Sequence, residues 1–352
     1  MNSIALHNRL AGVLVGTAVG DALGLPAEGM SAPRICRRWK GEWKHRFILG
    51  RGMISDDTEH TFFVAQALLE FPDDVGKFQR CLAWKFRWWL LGIPAGIGFA
   101  TLRSIGKLWL GFRPGRNAVF SAGNGPAMRS AIIGAYFADD PEKLRAFVKA
   151  STQLTHSDPK AENAALSVAQ LAAWCIAGSG NQFTAIEQVS NQSNDQEWRR
   201  ILAKATQLAQ EQKDTKDFAD WLGQKEGVSG YSYHSVPVAI YSWLRHGDDI
   251  GAALTSVLDC GGDTDTTGAI VGALMGAALG VSQVPDRFRR GLVDWPRSLS
   301  LLENVGQRLA TQKLQGKAIG PVSYFWPAIP LRNALFIITV LIHGFRRLLP
   351  PY

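Results

Sequence analysis

Residues 261–280 read GGDTDTTGAIVGALMGAALG, a cluster of oxygen ligands that leads directly into an apolar, glycine-rich run. A Gly-Gly turn precedes two carboxylates, Asp263 and Asp265, and three threonine hydroxyls that all lie within five residues. Hard oxygen donors at this density suit Mg²⁺, Mn²⁺ or Ca²⁺ better than zinc. The stretch therefore predicts a divalent-metal site at the start of a helix.

A second acidic cluster, Ser55-Asp56-Asp57-Thr58-Glu59, occurs much earlier in the chain and also opens a predicted helix. One side chain is enough to cap a helix N-terminus, so two adjacent carboxylates exceed what capping needs. Because the positive end of a helix repels cations, several carboxylates would be required to hold a metal ion there. If the fold brings the two clusters together, four aspartates face one another, which is enough for two divalent ions.

Glycine recurs at every fourth position in two predicted helices. The helix over residues 9–24 carries Gly12, Gly16, Gly20 and Gly24, and the helix after the acidic stretch carries Gly268, Gly272, Gly276 and Gly280. Glycine inside a helix costs about 1 kcal/mol relative to alanine, so its repetition on one face indicates the close approach of another backbone. We expect the two helices to pack together near the centre. Neither apolar run reaches the roughly 17–25 residues of a membrane span, so we expect neither to cross a membrane.

The composition predicts an all-α protein with a large apolar core. Of the 352 residues, 46% are hydrophobic and 19% are charged, and few stretches alternate as strands do. The formal charge of +8 comes without dense Lys/Arg blocks, which favours a small anionic ligand over nucleic acid. The four scattered cysteines indicate free thiols, and the N-terminus lacks a secretory signal, so we expect a cytoplasmic protein.

Several other segments carry weaker predictions. The apolar run Thr61 to Leu69 predicts a helix, residues 31–52 are expected to be irregular, and residues 178–194 are expected to contain polar loops. Between residues 75 and 112, four tryptophans at near-helical spacing are expected to lie in the core: Trp84, Trp88, Trp89 and Trp109.

A glycine turn, Gly123-Asn124-Gly125, runs into a predicted helix with Pro126 at its first position. Backbone N–H groups at such a turn can cradle a phosphate, although most turns of this kind bind nothing. Further along, Asp158 is predicted to cap the helix that starts at Pro159. His156, just ahead of that cap, is either a ligand contact or a hydrogen-bonded structural histidine.

The C-terminal residues differ in character from the rest, and we divide the chain into a domain over residues 1–318 and an apolar extension over residues 319–352. A Pro- and aromatic-rich connector, Phe325 to Pro330, precedes the apolar run Ala334 to Ile342, with basic residues after it. The run is too short to cross a bilayer. We expect a helix packed on the domain or at a subunit interface; an interfacial membrane anchor is the alternative.

Four motifs together resemble the signatures of the ADP-ribosylglycohydrolases, the relatives of dinitrogenase-reductase-activating glycohydrolase and of the ADP-ribosyl-acceptor hydrolases. They are Gly16-Thr-Ala-Val-Gly-Asp-Ala-Leu-Gly-Leu-Pro-Ala-Glu28, Ser55-Asp-Asp-Thr-Glu59, Gly123-Asn-Gly-Pro-Ala-Met-Arg129 and Gly261-Gly-Asp-Thr-Asp-Thr266. They occur in the family's order and cover roughly residues 9–310. The resemblance implies a compact, single-domain, all-α fold with a binuclear Mg²⁺ or Mn²⁺ centre in a cleft.

The resemblance also implies roles for individual residues. The metal ligands would be Ser55, Asp56 and Asp57 on one side and Asp263, Asp265 and Thr266 on the other; Glu28, Asp57 and Asp263 would be catalytic; Gly123, Asn124, Gly125 and His156 would bind the substrate. Ser55 stands where many relatives have threonine, and either residue offers an oxygen. For Asp21, in the first motif, we favour a structural or supporting role.

The implied activity is metal-dependent removal of ADP-ribose from a modified protein or a small derivative, by cleavage at the anomeric carbon of the distal ribose. ADP-ribosyl-arginine is the favoured substrate because the chain resembles the nitrogenase-regulating branch. The alternatives are a non-catalytic ADP-ribose-binding regulator, a hydrolase of O-acetyl-ADP-ribose, a phosphodiester or nucleotide hydrolase, and a membrane-associated regulator located by its C-terminal extension.

Overall fold

The computed structural model describes residues 3–39, 42–178 and 180–347, and their regular secondary structure is almost entirely helical. The helices are α1 (Ser3–Gly24), α2 (Ala32–Trp39), α3 (Asp56–Glu70), α4 (Val75–Leu91), α5 (Phe99–Trp109), α6 (Gly125–Met128), α7 (Ala131–Tyr136), α8 (Pro141–Thr152), α9 (Pro159–Ala177), α10 (Gln182–Gln192), α11 (Gln196–Gln210), α12 (Thr215–Trp221), α13 (Ser232–Arg245), α14 (Ile250–Leu258), α15 (Thr264–Leu279), α16 (Asp286–Arg289), α17 (Leu299–Gln315) and α18 (Ile329–Arg347). Two short strands, β1 (Met30–Ser31) and β2 (Gly261–Gly262), pair antiparallel, with Met30 opposite Gly262. The predicted all-α fold is confirmed.

Helices α1 and α15 pack against each other through their glycines at the centre of the molecule. A side chain at Gly16 would overlap the carbonyl oxygen of Gly272, and one at Gly20 would overlap that of Gly268. The partners run in opposite directions along the chain, so the two helices are antiparallel. The predicted close approach of two backbones is therefore observed. Gly280 lies just outside the helix, because α15 ends at Leu279 and Gly280 adopts a left-handed φ of 86°.

The pairing of α1 with α15 also positions the acidic stretch. At the C-terminal end of α1, a side chain at Gly24 would overlap the Thr264 carbonyl, and the Thr264 hydroxyl donates to the Gly24 carbonyl at 2.8 Å. The loop that follows α1 contributes β1, which pairs with the Gly-Gly turn ahead of α15. The first and the last of the four motifs are thus held together by backbone contacts.

The prediction that the apolar runs are too short to span a membrane was wrong for α1 and for the C-terminal run, whereas α15, with 16 residues, is as short as predicted. Residues Ser3–Ala27 and Trp326–Arg346 form helical segments of 25 and 21 residues that are long and apolar enough to cross a bilayer. The most apolar window of the first segment is 100% buried, so it is a core helix of the folded protein. The corresponding window of the second is 33% buried.

Two predictions about local structure were wrong. Residues 31–52 are not irregular throughout, because α2 buries Ala32, Ile35 and Trp39 at helical spacing and turns Arg37 and Arg38 outward. Residues 178–194 do contain polar loops, which lie on either side of α10.

The second error concerns the tryptophans. Trp89 is buried, but Trp84, Trp88 and Trp109 are 53%, 66% and 42% exposed. Trp84 and Trp88 lie one turn apart on the outer face of α4, where each meets Trp109 edge to face. Spacing alone indicates a common face but does not indicate which way that face points.

Candidate active site

The two acidic motifs, which lie far apart in sequence, meet at the N-termini of α3 and α15. The Thr266 hydroxyl donates to Asp57 Oδ2 at 3.4 Å, and the Ser55 hydroxyl donates to the same oxygen at 3.2 Å. Asp57 is 2% exposed and Asp265 is 5% exposed, so these carboxylates lie at the buried end of the site. Glu28, on the loop after α1, is exposed at the edge of the cluster.

Helix capping accounts for only part of this arrangement. Ser55 caps α3, since its hydroxyl accepts from the Asp57 backbone N–H at 3.3 Å. Asp263 occupies the N-cap position of α15, but its side chain makes no capping hydrogen bond. Its Oδ2 instead accepts from Asn124 Nδ2 at 2.6 Å, which ties the glycine turn to the acidic stretch. The Asp263 carboxylate is therefore aimed into the site.

Asp21 fixes the backbone of the first acidic motif from the interior of α1. Its Oδ2 accepts from the backbone N–H of Ser55 at 2.8 Å, from that of Thr58 at 3.2 Å, and from the Thr58 hydroxyl at 2.5 Å. Burial raises the pKa of Asp21 to about 6, and these hydrogen bonds oppose that rise. Asp21 thus orients Ser55 and its neighbours, as a supporting residue would.

Burial and mutual repulsion raise the pKa of three aspartates in the cluster. The pKa of Asp57 is raised well above its usual value, first by burial and then by Asp56, Asp21 and Asp263. Burial and then Glu28 likewise raise the pKa of Asp265. Burial, followed by repulsion from Asp21 and then from Glu28, raises the pKa of Asp56. A positive charge placed among these groups would relieve both the repulsion and the cost of burying negative charge.

The residues fit a divalent cation by this chemistry, although they do not form a finished metal site. Asp57 Oδ1 and Asp21 Oδ1 are buried and have no hydrogen-bond partner among the described residues. Over residues 3–39, 42–178 and 180–347, however, no three His, Cys, Asp or Glu side chains are grouped so as to hold an ion as they stand. An ion would therefore draw the carboxylates together, with serine or threonine hydroxyls and water completing its shell.

The glycine turn lies over His156. A side chain at Gly123 would approach His156 Nε2 to 3.0 Å, and one at Gly125 would approach Cε1 to 3.2 Å. The ring is 3% exposed, and its Nδ1 lies 2.8 Å from the Thr155 hydroxyl. Burial, and then Arg129, lower the pKa of His156 to about 3, so the imidazole is neutral at physiological pH. In this structure the His156 ring packs against the glycine turn.

The sequence profile of the ADP-ribosylglycohydrolase family matches residues 2–317. The chain belongs to this family. It is 27% identical to the ADP-ribosyl-[dinitrogen reductase] glycohydrolase of Rhodospirillum rubrum, over 81% of this chain and 90% of that protein. It is 30% identical to the ADP-ribosylhydrolase ARH3 of Gallus gallus, over 80% of this chain and 88% of the relative. The predicted family and enzyme class are thus confirmed.

A solved structure described as an ADP-ribosylglycohydrolase-related protein complex has the same fold. It superimposes with a TM-score of 0.66 over 88% of this chain and 99% of that one, at 22% sequence identity. At this identity the likeness shows the fold alone.

Sequence reasoning missed a buried ionic network behind the first acidic motif. Glu59 accepts from Trp89 Nε1 at 2.5 Å and pairs with Arg297, and Arg332 of α18 lies 3.6 Å from Glu59 Oε1. Arg332 also pairs with Asp294 at 2.7 Å and donates to the carbonyl of Ile54, the residue before Ser55. Glu59 is part of the first acidic motif, but no sequence pattern indicated that its partners would be Arg297 and Arg332.

Proposed function

We propose that this member of the ADP-ribosylglycohydrolase family is a metal-dependent hydrolase that cleaves the bond between the anomeric carbon of the distal ribose and an acceptor. The observation that carries the proposal is the contact of Thr266 with Asp57, which joins the two acidic motifs into one cluster. The buried, unpartnered Asp57 Oδ1 and the raised pKa values of Asp56 and Asp265 support a cation at this point.

The cluster offers ligands from two helices. Ser55, Asp56 and Asp57 would contribute from α3, and Asp263, Asp265 and Thr266 would contribute from α15. Two Mg²⁺ or Mn²⁺ ions, when bound, would hold the ribose hydroxyls and polarise a water. Asp21 holds the backbone at the start of α3 in place through its three hydrogen bonds, and Asn124 holds the Asp263 carboxylate through one.

The other residues would bind and orient the substrate. The glycine turn over residues 123–125 would hold the diphosphate through backbone N–H groups, with the neutral His156 ring supporting it. During hydrolysis a water oxygen bonds to the anomeric carbon as the bond to the acceptor breaks. A carboxylate takes the water proton, and the acceptor gains a proton as it leaves. Glu28, exposed at the edge of the cluster, is our first candidate for this proton transfer, ahead of Asp57 and Asp263.

The acceptor we favour is arginine on an ADP-ribosylated protein. The support is likeness across most of the chain to a relative named for acting on ADP-ribosylated dinitrogen reductase. A small derivative such as O-acetyl-ADP-ribose is the alternative substrate. The four cysteines are free, which suits the reducing cytoplasm that we propose as the compartment.

The test is product analysis on a panel of ADP-ribosyl-arginine, ADP-ribosyl-serine and O-acetyl-ADP-ribose, each with Mg²⁺, Mn²⁺ or EDTA. We expect free ADP-ribose from the arginine substrate, loss of release in EDTA, and a drop of about a hundredfold or more in Glu28→Gln. The surface variant Asp248→Asn, a matched loss of one carboxylate, should retain full activity.

Two outcomes would overturn the proposal. Release of AMP in place of intact ADP-ribose would make the chain a phosphodiester hydrolase. No release from any substrate, with ADP-ribose still bound, would make it a non-catalytic binding protein.

A further inference from the structure

Helix α18 turns its apolar side away from the protein. The face that packs on the domain includes Arg332, Asn333 and Thr339, each at most 7% exposed, beside Ile329 and Phe336. The outer face presents six large apolar side chains that are 46–75% exposed: Leu331, Leu335, Ile338, Leu341, Ile342 and Phe345. Five of them follow the spacing i, i+4, i+7, i+11, i+14, which is one continuous stripe. We call these six residues the outer stripe.

The helix is fixed on the domain by polar contacts that a membrane-spanning helix could not keep. Arg332 pairs with Asp294 at 2.7 Å, and Asn333 Nδ2 donates to the Gly92 carbonyl at 2.6 Å. Crossing a bilayer would break both contacts and carry a guanidinium and an amide into hydrocarbon. A partner for the outer stripe must therefore come to the surface of the folded protein.

The apolar surface continues beyond the N-terminal end of α18. Trp326 and Trp88 are 69% and 66% exposed and line the same cavity of ≈ 1050 Å³, which α3, α4 and the start of α18 enclose. Ile93, in the turn after α4, is 70% exposed. Exposed tryptophans beside an apolar helix are typical of the boundary between hydrocarbon and headgroups.

Positive charge gathers at the other end of the helix. A cleft of ≈ 590 Å³ beside the C-terminal part of α18 has five cationic side chains in its wall: Arg38, Lys44, Arg46, Arg287 and Arg346. The described residues that line it include no carboxylate, although Lys44 pairs at 3.0 Å with Glu42 outside the wall. Partial burial and the nearby Arg346 lower the pKa of Arg38. Leu49, next to the lining residue Gly50, is 98% exposed. We call this site the basic cleft.

We propose that α18 lies flat on an anionic phospholipid bilayer, with the outer stripe among the acyl chains and phosphate headgroups in the basic cleft. Stable attachment to a membrane surface takes two signals, and an apolar stripe beside a cluster of cations supplies them. A second copy of the chain fits less well. A second copy would offer the cations only another apolar stripe or another basic cleft, and neither supplies negative charge from its described residues.

The test is co-sedimentation of the full-length protein with vesicles of phosphatidylcholine alone, or of phosphatidylcholine containing about one third phosphatidylserine. We expect binding to the anionic vesicles only, weakening as salt is raised. Arg38→Gln/Arg346→Gln should weaken partitioning by about tenfold to thirtyfold, since each cation near the surface is worth roughly fivefold. Leu335→Ser/Ile342→Ser should also release the protein from the vesicles.

Matched controls are Arg200→Gln/Lys149→Gln and Ile4→Ser/Leu314→Ser, which remove exposed cations and exposed apolar groups from other surfaces. Both should bind like the wild type, and all four variants should keep the wild-type circular dichroism spectrum. Failure to sediment with anionic vesicles would overturn the proposal, as would equal binding to both vesicle types. A dimer in sedimentation equilibrium that Leu335→Ser/Ile342→Ser dissociates, without vesicle binding, would assign the outer stripe to a second copy.

Discussion

Two helices of nearly equal hydropathy are buried to very different extents in this molecule. The segment containing α1 has a mean hydropathy of 1.5 and its apolar window is 100% buried, whereas the segment containing α18 has 1.6 and is 33% buried. The difference lies in the small residues. Helix α1 has glycine at every fourth position facing α15, whereas a side chain added at Gly344 of α18 would meet no described atom within 4 Å. Between these two helices, apolar content does not distinguish core from surface, whereas the spacing of the small residues does.

The largest effect should come from breaking the α1–α15 contact. Gly16→Ala drives a methyl group into the Gly272 carbonyl, and backbone cannot yield as a flexible side chain can, so we expect a loss of about 3 kcal/mol of folding free energy. The matched change Gly344→Ala in α18 meets open space and should stabilise by up to about 1 kcal/mol. Urea unfolding followed by circular dichroism measures both; equal effects would show that the glycine contact is not what distinguishes the helices.

The next effect tests the inner face of α18. Arg332→Met leaves Asp294 and Glu59 with one buried partner fewer, so we expect a loss of about 3 kcal/mol and weaker metal-dependent activity, because Ile54 beside Ser55 loses a donor. Arg332→Met/Asp294→Asn should recover part of the stability, because the uncompensated carboxylate is removed along with the cation. No recovery would mean that the ion pair does not stabilise this face.

Lowering the pH should destabilise the folded protein through two of its buried histidines, His60 and His156. Burial and Arg129 lower the pKa of His60 well below its usual value, and the same two causes lower that of His156 to about 3. The unfolded chain therefore takes up protons at these histidines first, so their contribution to stability is full above about pH 6.5 and falls as the pH drops towards 3, by up to about 1.4 kcal/mol per pH unit for each histidine. The buried carboxyls with raised pKa values act in the opposite direction, so the histidine contribution is measured as the difference between the wild type and a variant. His156→Gln should flatten this slope in urea titrations at stepped pH; an unchanged slope would show that His156 is not buried in its neutral form.

The smallest effect should come from the outer stripe. Leu335→Ser/Ile342→Ser removes apolar groups that are already exposed, so folding free energy should change by less than about 0.5 kcal/mol per site. Phe336→Ser, on the inner face of the same helix, should cost about 3 kcal/mol because that ring is 3% exposed. Thermal melts of the two variants compare the faces directly, and a similar loss in both would contradict the orientation of α18.

What the sequence could predict here depends on how local the signal is. The glycine spacing of α1 and α15 and the density of carboxylates in residues 261–267 are contained in short stretches, and each has few physical explanations. The Arg332–Asp294–Glu59 network joins three distant parts of the chain, and no local pattern marks its partners. The exposure of three tryptophans was missed, and so was the outward direction of the apolar face of α18. In both cases the residue spacing defines a face of the helix but does not show whether that face points to the core or to solvent. The metal ligands, their roles and the boundary at residue 318 stay predictions.

The most direct test of the central claim is a calorimetric titration of Mn²⁺, with ADP-ribose present, into the wild type, Asp57→Asn and Asp263→Asn. If α1 and α15 bring the two acidic motifs into one site, the wild type binds two ions per chain, and either substitution weakens both. Ions that bind to one motif with an affinity unchanged by loss of the other motif, or no binding by the wild type, would contradict a shared catalytic centre.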